Sequence, residues 1–521
     1  MIHILGDRSD PTTTEIVMRA FERSFTRGQI CQIGAYQDIP TSDAVVVVVS
    51  PGDESAELLG RLIHRNGKVI LQGSLGKRVR ELAGIETVAI TPDLSALASC
   101  EPAPIHETSV SRAALVYADT GLGCASPLRR RHFCRFDFLD EWNNLGYGRI
   151  GVGNNRWSID QLAGHFATLV AGVEIDGAAS VGAAVTLHDL PHGSVLWFAR
   201  PVGAVDGQDW SVVETFISAH RADELPCRPF LRGIPHGFVA GVSMRLDCDE
   251  NIASARPLFN LYRSRNCPIS LAITTGQPAN PENLVFIRDV LDEGGSILSH
   301  SVTHSPGWGG SSEIAEREAR ESKSWLEALA SGLKVRYAVS PFHQSPPYVP
   351  EALARAGYEG FIGGSIANDP EYMMARAGVL PFGPPGMVSH SQSCMLHGDS
   401  MLAGGDPLRV FKEAFRLAQD SSEFFGYLDH PFSERYAYGW PDEETRIATH
   451  SNYLDYLEAT SGGGRLLFVN EDTCMQFIKE KAAAEIKYDS TLAKYTISKG
   501  QAAGFPISIG YRGNVFEAQY A

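Results

Sequence analysis

The chain has 521 residues, 44% of them hydrophobic and 20% charged, with 51 Gly, 29 Pro and 9 Cys. That length is room for three or four domains at ~100–200 residues each, and the apolar fraction is that of a folded globular protein, which excludes a largely disordered chain. A formal charge of −16 repels phosphate backbones and anionic lipid, so neither nucleic acid nor a membrane surface is an expected partner.

The sequence opens with Met1-Ile-His-Ile-Leu and goes straight into a strand-like segment, without the basic and apolar regions of an export signal. Nothing approaches the ~18 uninterrupted apolar residues of a membrane helix. A cytoplasmic protein is the expectation. The cysteines agree, being odd in number and scattered, with no CxxC pair, and most are expected to be free and buried.

Residues 1–105 read as a Rossmann- or flavodoxin-like α/β domain, with strands at Met1–Leu5, Ala44–Ser50 and Lys68–Gln72 and helices at Thr13–Phe25 and Glu54–Asn66. The Pro-bearing stretch Ser99–Glu107 reads as a linker. Residues 106–235 read as an α+β middle domain, with strands at Ala113–Ala118, Ser180–Leu187 and Gly193–Arg200 and a helix over Ile159–Val170. From 236 to 485 the pattern becomes regular. Strands at Phe238–Asp247, Ile269–Ile273, Ser296–Ser299, Val335–Val339, Gly360–Gly364, Glu423–Leu428 and Arg465–Val469 alternate with helical segments. One helix opens at Asp406-Pro407 and places Val410, Phe411, Ala414, Phe415 and Ala418 on one apolar face. Repeated strand–helix units of this kind predict a (β/α) barrel, with its chemistry at the C-terminal ends of the strands. Residues 486–521 alternate polar and apolar positions and read as a short β tail.

Three strand ends carry titratable residues: Leu246-Asp247-Cys248-Asp249-Glu250, Ser299-His300-Ser301-Val302-Thr303-His304 and Leu428-Asp429-His430-Pro431. A helical turn after the second strand would set His300 and His304 on one face, able to ligate one ion. Alone, that spacing belongs more often to an exposed or capping pair. The Asp-x-Asp segment adds a third ligand and a spare base, completing a two-His, one-carboxylate site with open positions. A turn or helix cap accounts for one of these aspartates but not for both. His343, His390 and His397 read as hydrogen-bonded loop histidines. In the first domain, Gln72-Gly73-Ser74-Leu75-Gly76 has the outline of a nucleophile elbow, but its first position is Gln and no partner Asp and His follow, so no catalysis is expected there.

The order Asp-x-Asp, His-Ser-x-x-His, a Pro-aromatic segment and Leu-x-His-Pro resembles the polysaccharide deacetylase (NodB-homology) family, carbohydrate esterase family 4, over residues 237–480. The most specific match is Ser296-Ile-Leu-Ser-His300-Ser-Val-Thr-His304. The segment Ser340-Pro341-Phe342-His343, with the helix-like Pro350–Tyr358 after it, is similar to the family's Arg-x-Pro-Tyr motif. The resemblance implies a distorted (β/α)7 barrel and a divalent ion, most commonly zinc, held by Asp249, His300 and His304. It further implies Asp247 as general base and His430 as general acid in the metal-assisted hydrolysis of an acyl group, N-acetyl foremost, on an amino sugar or other carbohydrate. Phe342, Tyr348, Trp308 and Trp440 are the candidate substrate-stacking residues. Two departures stand out. Cys248 separates aspartates that the family has adjacent, leaving open which is base and which is ligand, and Val339 replaces the motif arginine, for which Arg245 and Arg336 are the nearest substitutes. These departures keep open an inactive carbohydrate-binding protein, and the barrel also accommodates a deacylase of a small non-sugar amide. The first domain resembles class I glutamine amidotransferases without their nucleophilic Cys. Whether the chain forms a homo-oligomer stays open.

Overall fold

The structure, a computed structural model, describes residues 1–92, 94, 113–123, 129–133, 159, 161–175, 181–276, 280–363, 371–380, 383–391, 394–433, 435–489, 494–498 and 504–520. The linker expected at 99–107 lies outside these residues.

The first half is organised by one 11-stranded sheet. Within it Val45–Val49 is five consecutive valines, all buried, the composition of a parallel strand covered on both faces. Ile2–Leu5 and Gly67–Gln72 flank it in parallel, and helices Pro11–Ser24 and Ala56–Ile63 supply the crossovers. Helix Pro11–Ser24 starts on an Asp10 cap that accepts from Thr13 N at 3.0 Å, with Pro in the first turn.

Two expectations change here. The segments 1–105 and 106–235 share this sheet, because Gly193–Phe198 pairs in parallel with Gly67–Gln72 and carries the antiparallel strands beyond it. The helix expected over 159–170 is instead strands Gln161–His165 and Thr168–Ile175. Ile159, Leu162, Ala163 and Phe166 satisfy a helical period, but Val170, Val173 and Ile175 suit a strand, and pairing with Gly182–Leu190 decides the outcome.

The second half is built on parallel strands. Ala240–Cys248, Ser270–Ile273, Ser296–Ser299, Tyr337–Val339 and Gly360–Gly363 pair in succession. Gly360–Gly363 then pairs with Val388–Ser391. A few residues on, Cys394–Met395 pairs with Phe424–Asp429, which returns to Ala240–Cys248. Val388–Ser391 and Cys394–Met395, close in sequence, thus stand at opposite ends of a pairing path of eight parallel segments. Leu466–Val469 pairs with the N-terminal half of Ala240–Cys248. Helix Arg409–Ser421 starts two residues after Asp406-Pro407, whose carboxylate accepts from Leu408 N at 3.1 Å. Val410, Phe411, Ala414, Phe415 and Ala418 are all buried, as its period requires.

The two halves meet across buried charge. Glu214, on helix Gly207–Ser218, pairs with Arg376 at 2.6 Å, and Arg23 donates to Val379 O at 3.0 Å. Residues after 484 form short strands, of which Ser508–Tyr511 pairs with Phe230–Leu231. Among the described residues, six cysteines are free, five of them buried, and no helix is long and apolar enough to cross a membrane.

Candidate active site

The C-terminal ends of these parallel strands open into a cavity of about 1030 Å³, large for a small-ligand pocket. Asp247, Asp249, His300, His304 and His430 all line it. Side chains from three strand ends, 183 positions apart at the extremes (249 to 430 closing at 181), meet there.

Asp249 Oδ1 lies 3.5 Å from His300 Nε2 and 3.4 Å from His304 Nε2, and the two imidazole nitrogens are 3.0 Å apart. Ligand atoms ~2.1 Å from a tetrahedral centre stand about 3.4 Å from one another, so this donor set fits a divalent ion such as zinc. His300 donates from Nδ1 to Val339 O at 2.9 Å, which leaves the Nε2 lone pair toward the other two ligands. Burial holds both imidazoles below their ordinary range and so keeps them neutral. Burial also pushes the Asp249 carboxyl up to about 6, with the Asp247 charge adding to it against the pull of His300.

The local geometry that delivers the histidines differs from the expected helical turn. After Ser296–Ser299 the chain forms a tight loop in which Ser301 and His304 take left-handed φ of 67° and 53°. The loop is held by Glu318, which accepts from Val302 N at 2.8 Å and Thr303 N at 2.9 Å, and by Ser301 Oγ, which accepts from His304 N at 2.9 Å. Helix capping after Asp249 is likewise not the role of an aspartate. Asn251 caps the short helix Ile252–Ala255, leaving Asp247 and Asp249 both facing the cavity.

Asp247 is buried against Arg245, with Nε 2.7 Å from Oδ1. Burial alone would raise this carboxyl, but the Arg245 charge and hydrogen bond outweigh it and hold Asp247 well below the usual carboxylate range. Of the two substitutes for the missing arginine, Arg245 is therefore the one beside Asp247. It sits two residues earlier on the same strand, so both side chains leave the same face. Arg336 instead reaches Gln476.

His430 closes the far side, its Nε2 3.5 Å from Asp249 Oδ2. Its Nδ1 lies 2.8 Å from His397 Nε2, and its ring stacks on Tyr438 at 4.0 Å between centroids. Burial, with His397 adding, pushes His430 down to about 3 against the charges of Asp247 and Asp429. The Tyr438 hydroxyl donates to Asp249 Oδ2 at 3.3 Å. Beneath them Asp429 accepts from Arg446 at 2.7 Å and from His450 at 3.0 Å. Although burial opposes it, these partners keep Asp429 ionised. His397, Asp429 and His430 form a second cluster of ligand-type atoms, but the Arg446 guanidinium on Asp429 supplies the positive charge there.

The four aromatic candidates separate. Phe342 lines the cavity, is 50% exposed and lies 4.7 Å from His304 between ring centroids. Trp308 is 0% exposed and donates to Ser340 Oγ at 3.2 Å, so it packs beneath the cavity wall. Trp440 is 4% exposed and lies against His450. Tyr348 donates to Gly307 O at 2.7 Å and is not among the lining residues. Glycine-rich loops next to an indole or phenol gave no sign of which rings fold inward. Tyr436 and Tyr438, which do line the cavity, follow the Leu-x-His-Pro segment by a few residues, and that proximity was the available signal.

The three other histidines also differ from one another. His397 is a buried partner of His430. His390 is buried in strand Val388–Ser391 rather than in a loop, and burial pushes it down to about 3. His343 lines the cavity. In the first half, Ser74 of Gln72-Gly73-Ser74-Leu75-Gly76 is exposed after a turn at Gly73 with φ 79°.

No family model matches the sequence, and no curated protein matches it. Among solved structures, the chain is similar to a chitin deacetylase from the fungal pathogen Colletotrichum lindemuthianum at 14% identity and TM-score 0.32, covering 47% of this chain and 89% of that one. It is similar to an allantoinase at 12% identity and TM-score 0.35, covering 46% and 90%. A family 4 acetyl xylan esterase from Clostridium thermocellum, in complex with a cobalt ion, matches at 10% identity and TM-score 0.25, covering 44% and 98%. TM-scores this low carry no weight for function, and the geometry of the cavity stands by itself.

Proposed function

We propose that the chain is a metal-dependent hydrolase that removes an acyl group, N-acetyl foremost, from an amino sugar or other carbohydrate, using a deacetylase-type barrel. The observation that carries this reading is the triad Asp249, His300 and His304 set at ligand spacing beside a separately held, ionised Asp247. A divalent ion at the triad supplies Lewis acidity and lowers the pKa of water from 15.7 toward ~7. Asp247 accepts the proton of the attacking water. Arg245 fixes the orientation of that carboxylate and keeps it ionised, so it is ready to act as a base at working pH.

Phe342 lines the cavity in the tight turn Pro341–His343, at a left-handed φ of 54°, and carries a backbone N–H beside His304. That N–H is the donor we assign to the developing oxyanion. His430, neutral at rest and with Nδ1 anchored on His397, passes through Nε2 to the leaving nitrogen the proton that Asp247 takes from water. Phe342 and Tyr436 flank the cavity mouth as faces for a sugar ring. Val339 in the place of the family's arginine is what favours an inactive, binding-only protein. Arg245 at 2.7 Å from Asp247 supplies that guanidinium from a different position and favours the enzyme.

The test is acetate release from a panel of N-acetylated sugars, with zinc added and with a chelator. Release that needs the metal and is abolished by Asp247→Asn supports the reading. Turnover indifferent to chelator or to Asp247→Asn contradicts it, and binding of the sugars without release assigns the inactive alternative.

A further inference from the structure

His343 combines features that do not favour the folded state. It follows Phe342 in a left-handed backbone, with φ of 54° and 56° at the two positions, a region that residues with a Cβ enter at a cost and glycine enters freely. Among the described residues its buried Nδ1 has no hydrogen-bond partner, another cost in a protein interior. The turn does not need the imidazole, since main-chain bonds hold it: His343 N donates to Ser340 O at 3.0 Å and Gln344 N to Pro341 O at 3.1 Å. Yet the ring lines the same cavity as Asp247, His300 and His430. With Nδ1 shielded, Nε2 is the ring nitrogen left to face that cavity.

Strain of this kind persists where the side chain it presents has a use. We propose that His343 is a substrate-binding residue, donating a hydrogen bond from Nε2 to a carbonyl or hydroxyl oxygen of the acylated substrate. This rests on the hydrolase reading above. Burial, with the Arg245 charge adding, pushes the imidazole down to about 3. The ring is therefore neutral, and the N–H is assigned to Nε2, the nitrogen left to face the cavity. A neutral donor suits a neutral sugar oxygen, and it leaves the ionised Asp247 free of competition for the water proton.

Two variants separate binding from architecture. His343→Gly removes the ring and relaxes the backbone, so Tm is expected to rise by roughly 2–4 °C. Over the same change kcat/KM is expected to fall about tenfold, the loss of one binding hydrogen bond, through a rise in KM with kcat little changed. His343→Gln keeps a donor near the position of Nε2 and is expected to recover most of the KM without the gain in Tm. Kinetics use the zinc-loaded full chain with an N-acetylglucosamine tetramer, and binding is measured by calorimetry in Asp247→Asn. Unchanged KM in His343→Gly, or a Gln variant no better than Gly, overturns the role of His343 alone. A wild type that neither cleaves nor binds the tetramer overturns the hydrolase reading for this substrate, and the proposal for His343 with it.

Discussion

Replacing Arg245 with Met leaves the Asp247 carboxylate buried without its cation. At 2.7 Å and an effective dielectric of ~20, the attraction removed is about 6 kcal/mol. Part of this offsets the cost of burying Arg245 itself, so the net loss expected from truncating one partner of a buried pair is ~3–5 kcal/mol. Asp247→Asn removes the charge that needs compensation, so the double variant is expected to be less destabilised than the sum of the single ones, by about 2–3 kcal/mol. The sign with pH follows. In the wild type the folded-state pKa of Asp247 is depressed, and its contribution is present above the unfolded value of ~3.9 and lost as pH falls through the folded value. In Arg245→Met burial dominates and the carboxyl rises above its ordinary value, so the variant regains stability relative to wild type as pH falls from 8 to 5. Urea denaturation of the four proteins at both pH values is the assay. Single effects that add to within ~0.5 kcal/mol, or a deficit that does not shrink at pH 5, would refute the reasoning.

Trp308→Ala is expected to cost ~3–5 kcal/mol in urea denaturation, as for a fully buried indole. Phe342→Ala is expected to stay within ~0.5 kcal/mol of wild type while raising KM. The reverse order would mean that Trp308, and not Phe342, faces substrate. His430→Ala is expected to lower kcat by about 10²–10⁴-fold without loss of bound zinc, as for a proton donor outside the ligand set. His397→Ala is expected to lower kcat by no more than about tenfold, the worth of one hydrogen bond to Nδ1. An equal effect of the two variants would place both rings on the substrate.

Strand positions in the second half were legible because each short apolar run ends on polar residues, and the run Ser296–Ser299 matches its observed bounds. The site was legible for the same reason: strand ends converge on one rim, so Asp247, Asp249, His300, His304 and His430 were visible as residues before their contacts were. Their local geometry was not. Nothing in His300-Ser-Val-Thr-His304 announces two left-handed residues, because the turn is set by Glu318, which belongs to the following helix Ser312–Glu327. The partner of Asp247 was ambiguous because Arg245 is near it in sequence and Arg336 is near the motif position at Val339, and only the folded strands show which guanidinium reaches the carboxylate. Trp308 and Trp440 stayed open between stacking and packing because an indole near a motif has the same sequence signature whether it points into a cavity or beneath its wall. The strands at 161–175 were missed because a period that fits both helix and strand is decided by a partner strand, Gly182–Leu190, that local patterning does not see.

The most direct test of the account is the number of zinc ions held by the purified chain after equilibrium dialysis, set beside three variants. Wild type and Asp247→Asn are each expected to retain about one zinc ion, and Asp249→Ala and His300→Ala none. A wild type that holds no zinc, or a His300→Ala protein that holds as much as wild type, would contradict the assignment of Asp249, His300 and His304 as a single metal centre.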